Sequence, residues 1–309
     1  MHINHSLIEL IGKTPLLDCT PLTGRASARL VAKLELFNPG GSIKDRPAKA
    51  MIEAAEEAGL LRKGMTIVEP TAGNTGIGLA LVGNLKGYKT VFFVPDRMSK
   101  EKIVCMQLLG AEVVLVDKDL GMPGCIKQAH DYAERTGHCF IPQQFENPAN
   151  PDQAEHFLGP EVHEQLGYYP DGLAVGSGTG GTFTGLARWL RNNHPTPQCW
   201  CVQPLGSVFA GDPKGSYEVE GIGNSFVPDT LDLDLADRIV TVKDAQSFKR
   251  VKEAALKLGL LLGGSSGANL DAAIELCHEL GPGKTVLTVL PDGLERYLSK
   301  EWVTKLVRS

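Results

Sequence analysis

The sequence holds no C-x-x-C pair, although it carries seven cysteines, at positions 19, 105, 125, 139, 199, 201 and 277. Odd in number and scattered, they point to reduced structural thiols rather than to a disulfide framework or a metal site. Cys199-x-Cys201 is expected on one strand, both side chains on one face and packed in the core. Cys105 also falls in an apolar segment. Basic charge is not in excess. The net charge is -5, so nothing suits nucleic acid or an acidic membrane surface. No apolar run approaches the roughly 20 residues of a membrane span, and the first residues lack a secretory pattern. A cytoplasmic protein is expected. Neither an internal repeat nor a low-complexity tract is visible. The apolar fraction of 42% and charged fraction of 22% are those of an ordinary globular protein. A chain of 309 residues exceeds the usual single core and suggests two lobes.

What is present is a repeated strand-then-helix pattern. Strands are expected at 30–36, 65–70, 90–94 and 112–116, with helices at 47–58, 77–85, 99–109 and 125–136. Residues 143–151 are rich in proline and asparagine and suit a lobe boundary. The pattern then restarts. Strands are expected at 171–175, 198–203, 260–263 and 285–290, and helices at 183–192, 245–258, 268–280 and 297–307. Between them, 205–237 is long and irregular, as lids and interface arms often are. The expected fold is α/β with parallel sheets flanked by helices.

Between the first strand and the first helix stands Asn38-Pro-Gly-Gly-Ser-Ile-Lys44-Asp-Arg46. Pro47 lacks an N–H and is tolerated only in the first turn, so Lys44 lies at or just inside the helix start. There its charge opposes the positive end of the helix dipole, which lowers the pKa of the amine. An uncharged amine can form a Schiff base with an aldehyde. The alternative is an ordinary solvated lysine. Ile11-Gly-Lys-Thr14 has the end of a phosphate loop without its spaced upstream glycine and is set aside.

Three further loops join strand to helix. Gly176-Ser-Gly-Thr-Gly-Gly-Thr182 suits a phosphate, because glycines let backbone N–H groups converge at a helix N-terminus. Thr179 and Thr182 add hydroxyls. Its spacing also matches the dinucleotide pattern G-x-G-x-x-G, but Gln203-Pro-Leu stands where a ribose-binding acid is expected. Thr71-Ala-Gly-Asn-Thr75 exposes backbone donors that can hold a carboxylate, and Asn74 offers an amide to a ring oxygen; a simple N-cap explains it equally. Gly263-Gly-Ser-Ser-Gly267 places a serine hydroxyl where it can meet a ring nitrogen, and again capping is the alternative.

Together these motifs resemble one family. Asn38 to Arg46, Glu69-Pro-Thr-Ala-Gly-Asn-Thr-Gly76, Gly178-Thr-Gly-Gly-Thr182, Glu220-Gly-Ile-Gly223 and Gly264-Ser-Ser-Gly267 are similar to the cysteine synthase and cystathionine β-synthase group. The resemblance runs from Ile11 to about Lys300 with the motifs in family order. It implies pyridoxal-phosphate fold type II, like the tryptophan synthase β chain: two lobes, each a mostly parallel sheet flanked by helices. It divides the chain into a smaller unit at 38–147 and a larger one made of 1–37 with 148–309. Ala72 and Glu220-Gly-Ile-Gly lean toward bacterial O-acetylserine-dependent cystathionine β-synthases, because many cysteine synthases have serine at the first of these.

The resemblance implies pyridoxal 5'-phosphate as cofactor and no metal. Lys44 matches the catalytic lysine that holds the cofactor and moves the α-proton. Asn74 matches the partner of the ring hydroxyl, Gly178, Thr179, Gly180, Gly181 and Thr182 the phosphate cradle, and Ser265 the partner of the pyridine nitrogen. Thr71, Ala72, Gly73, Asn74, Thr75 and Gln144 match the holders of the substrate carboxylate, and Gly221 a loop that closes on the amino acid. The reaction implied is β-replacement on O-acetylserine or serine by a thiol, through an aminoacrylate. Homocysteine gives cystathionine, sulfide gives cysteine, and cysteine as donor releases hydrogen sulfide. A homodimer is implied. A serine or threonine dehydratase of the same fold and a nicotinamide-dependent dehydrogenase are the alternatives.

Overall fold

A computed structural model of the chain describes residues 3–24, 27–71, 73–96 and 98–308. Two sheets organise it. The larger contains β1 (Leu16–Asp18), β2 (Arg29–Leu34), β7 (Gly172–Gly176), β8 (Gln198–Pro204), β9 (Arg238–Val242) and β10 (Thr285–Leu290), in the order β1-β2-β10-β7-β8-β9. Only β1 is antiparallel to its neighbour. The smaller holds β3 (Thr66–Pro70), β4 (Lys89–Pro95), β5 (Glu112–Val116) and β6 (Cys139–Phe140), all parallel, in the order β5-β4-β3-β6.

Parallel strands need long crossovers, and here helices supply most of them. Around the smaller sheet run α1 (Asp45–Glu57), α2 (Asn74–Leu85), α3 (Lys100–Leu108) and α4 (Gly121–Thr136). Two short helices, α5 (Ala149–Gln153) and α6 (Gly159–Leu166), carry the chain back. Around the larger sheet lie α7 (Gly181–Asn193), α8 (Asp244–Leu258), α9 (Gly264–Leu280) and α10 (Glu301–Arg308).

Both faces of each sheet are covered, and the side-chain alternation shows it. On β8, Cys199 and Cys201 enter one core while Trp200 and Val202 enter the other. On β3, Ile67 and Val68 are divided in the same way. Burying the Val202, Ile67 or Val68 side chain contributes about 1.5–3 kcal/mol each. Helix α9 has no room for bulk where it crosses α8: a Cβ on Gly267 would stand 2.1 Å from the Ser247 carbonyl oxygen.

Several expectations need correction. Residues 260–263 form no strand; Leu262 makes a single bridge to Gly293, because α9 begins at Gly264 and leaves no length to pair. Gly264 to Gly267 are the first turn of α9 rather than a loop before it. The last helix starts at Glu301, after a 3-10 turn at Leu294–Tyr297 that buries Tyr297. Cys105 is exposed, whereas Cys199 and Cys201 are buried as expected. Strand β9 and helices α5 and α6 were not anticipated. Among the described residues no helix is long and apolar enough to cross a membrane.

Candidate active site

In parallel α/β sheets, ligand sites lie beyond the carboxyl ends of the strands. A cavity of about 290 Å3 opens there, walled by residues that follow β3, β4, β7 and β10. Lys44, Gly73, Asn74 and Thr75 line it. So do Gln144, Gly178, Thr179, Gly221 and Ser265. Thr71, Gly180, Gly181 and Thr182 are not among the residues that line it. Ala72 lies outside the described residues.

Lys44 is the residue just before α1, as the position of Pro47 requires. Burial pushes its amine down to about 8, and the nearby Asp292 carboxylate works against that shift. Burial is thus the main cause here, where the sequence suggested the helix dipole. None of the described residues lies within hydrogen-bond or ion-pair distance of Lys44 Nζ. Ser265, in the first turn of α9, is 2% exposed, and its hydroxyl has no hydrogen bond to a described residue.

The loop after β7 is shaped by close approach of other backbone. Gly180 takes φ +90°, and a Cβ there would stand 2.6 Å from Leu231 Cα. A Cβ on Gly181 would stand 2.1 Å from Asn150 Oδ1. Asn150 is fixed, since its Nδ2 donates to Gln144 O (2.8 Å) and to Thr179 Oγ1 (3.0 Å). The free N–H groups of the first turn of α7 follow directly.

The loop after β3 is held by side chains instead. Thr71 Oγ1 accepts from the N–H groups of Gly73 (3.1 Å) and Gly76 (3.2 Å). Thr75 Oγ1 donates to Gln144 Oε1 at 2.7 Å, and Gln144 Nε2 donates to Pro70 O at 2.9 Å. The backbone N–H groups of Gln143 and Gln144 both donate to the Glu69 carboxylate. Burial pushes Glu69 up to about 8, against those donors.

The C-terminal segment brings residues that the sequence reading did not single out. Asn74 Nδ2 donates to Asp292 Oδ2 at 2.7 Å, and Arg296 Nη1 donates to Asn74 Oδ1 at 3.3 Å. Tyr297 donates its hydroxyl to Asp292 Oδ2 at 2.6 Å. Lys102 Nζ donates to Tyr297 Oη (3.1 Å) and to Glu220 Oε2 (2.8 Å), and Lys300 Nζ pairs with Glu220 Oε1 (2.6 Å). Burial pushes the Glu220 carboxyl up, but the two lysines outweigh it and hold it below its usual value. A signal for them lies in the run from Pro291 to Ser299, which resembles the C-terminal end of the same family.

A family model for pyridoxal-phosphate dependent enzymes matches residues 7–292. The chain is 44% identical over 296 residues to a cysteine synthase of Staphylococcus aureus, with 95% of each chain covered. Among solved structures it is similar to an O-acetylserine dependent cystathionine beta-synthase from Helicobacter pylori, at 40% identity and a TM-score of 0.92, covering 97% of this chain and 99% of that one. It is also similar to a hydrogen sulfide-producing enzyme from Fusobacterium nucleatum, at 36% identity and a TM-score of 0.93, covering 96% of this chain and 100% of that one.

Proposed function

The chain belongs to the family of pyridoxal-phosphate-dependent enzymes, and from that premise we propose that it replaces the β-substituent of O-acetylserine or serine with a thiol. Homocysteine as acceptor yields cystathionine and sulfide yields cysteine; run on cysteine, the same site releases hydrogen sulfide. The observation that carries this reading is Lys44: a buried amine in the cavity, without a hydrogen-bond or ion-pair partner among the described residues, with its pKa pushed down to about 8.

The residues present fit pyridoxal phosphate. An amine and a nearly buried Ser265 hydroxyl, both without a hydrogen-bond partner among the described residues, share one cavity with Gly178 and Thr179 of the loop before α7. Lys44 would hold the aldehyde, Asn74 the ring oxygen, Ser265 the ring nitrogen, and the segment from Gly178 to Thr182 the phosphate. When bound, the cofactor supplies an aldehyde that condenses with amines and a ring that withdraws electrons from the attached carbon. Lys44 near 8 is basic enough to take the α-proton and acidic enough to return it. Thr71, Gly73, Thr75 and Gln144, with position 72 between them, orient the substrate carboxylate. The Ser265 hydroxyl is neutral and puts no anion against the ring nitrogen, which favours elimination over transamination. Gly221 has φ +91° and lines the cavity, so its loop can close over the amino acid and exclude water.

The two sheets are taken as the two units, 38–147 and 1–37 with 148–309. A cytoplasmic homodimer completes the proposal. Lys44→Ala is expected to abolish turnover with the fold intact by circular dichroism. Product analysis with O-acetylserine plus sulfide, and plus homocysteine, ranks the acceptors. Keto-acid release that is indifferent to thiol would favour a dehydratase and sink the replacement reading.

A further inference from the structure

The geometry points to Asp292 and Arg296 as positioning residues that fix which way the Asn74 amide faces, leaving it one N–H for the cofactor's ring oxygen. This inference rests on the functional reading above. A carboxylate of an ionised aspartate only accepts hydrogen bonds, and a guanidinium only donates them. Asp292 Oδ2 stands 2.7 Å from one end of the amide, and Arg296 Nη1 stands 3.3 Å from the other. The chemistry therefore permits one orientation: nitrogen toward Asp292, oxygen toward Arg296. A flipped amide would set donor against donor and acceptor against acceptor, and both charge-assisted bonds would be lost.

Asp292 is itself held. It is 1% exposed, and Tyr297 donates to the same oxygen at 2.6 Å. Burial and the carboxylates of Asp292 and Glu220 keep the Tyr297 proton in place. Arg296 also donates to the Gly40 carbonyl, in the loop that leads to Lys44. Gly41 makes room for it, since a Cβ there would stand 2.3 Å from Arg296 Nη2. One guanidinium thus ties the start of α2 to the loop that presents Lys44. With its oxygen turned to Arg296 and one N–H committed to Asp292, the amide in the cavity wall has its second N–H left to donate. A donor there favours the ionised form of a ring oxygen, beside the aldehyde that Lys44 holds.

The test is an equilibrium absorbance titration of the apo-protein with pyridoxal phosphate, with melting temperature recorded for every variant. Arg296→Met is expected to weaken cofactor binding about tenfold and to displace the visible band of the bound cofactor. Asp292→Asn, which is the same size but can donate as well as accept, is expected to displace the band as well. Asn74→Ala combined with Arg296→Met is expected to lose less affinity than the product of the two single losses, because the arginine acts in part through the amide. A folded Arg296→Met protein with wild-type affinity and an unmoved band overturns the assignment, as does a double variant whose losses multiply. Should Arg296→Met fail to fold, an unmoved band in Asp292→Asn overturns it. A wild-type protein that gives no band at all overturns the functional reading and this inference together.

Discussion

Two loops at helix starts face the same cavity and are built on opposite principles. The loop between β7 and α7 is shaped by what it cannot hold: Leu231 and Asn150 press where side chains would be. The loop between β3 and α2 is shaped by what it reaches, through Thr71, Thr75 and Gln144. The first presents backbone N–H groups rigidly, which suits a group that stays bound. The second depends on side-chain bonds that can be broken one at a time, which suits a substrate that comes and goes. The comparison teaches that one cavity can combine a fixed anchor with an adjustable clamp, each written in different residue types.

The sharpest way to break the anchor is Gly180→Ala. It combines a φ of +90° with a Cβ 2.6 Å from Leu231 Cα, neither of which a small shift relieves. A loss of about 3 kcal/mol or more in denaturant unfolding is expected, together with failure to retain the cofactor. The matching change in the clamp is Thr75→Val, nearly the same size without the hydroxyl. It leaves Gln144 Oε1 without its 2.7 Å donor. The expected outcome is about a tenfold rise in KM for the amino acid, roughly the 1–2 kcal/mol of one buried hydrogen bond, with kcat much less changed. Equal loss in kcat and kcat/KM would place Thr75 with the anchor instead. The smallest effect concerns Lys44 between the two. Its amine is neutral above about 8, whereas a solvated lysine needs about 10.5. The rate at which the apo-protein captures pyridoxal phosphate should therefore rise with pH and reach its half-point near 8. A half-point near 10.5 would show that burial does not depress this amine.

The anchor was legible in the sequence because close approach and positive φ leave glycine as the fitting residue, and glycines stand out in a run. Lys44 was legible because Pro47 marks the helix start. Asn74 was legible as a loop residue, but its orientation was not. Its partners Asp292 and Arg296 lie 218 and 222 positions away, and no periodicity connects them. Helices α5 and α6 were missed because they fall in, or just after, the proline- and asparagine-rich stretch read as a lobe boundary. In the structure Pro148 stands just before α5 and Pro160 lies in the first turn of α6, where a missing N–H costs little. The apolar run Leu260-Leu-Leu262 read as a strand, yet the chain turns into α9 before it can pair.

The central claim is that Lys44 carries the cofactor, and borohydride reduction tests it most directly. The protein is incubated with pyridoxal phosphate, reduced, digested and mapped by mass spectrometry. The account predicts one pyridoxyl adduct, on Lys44, and none in Lys44→Ala. An adduct confined to another lysine, or no adduct on a folded protein, would contradict it.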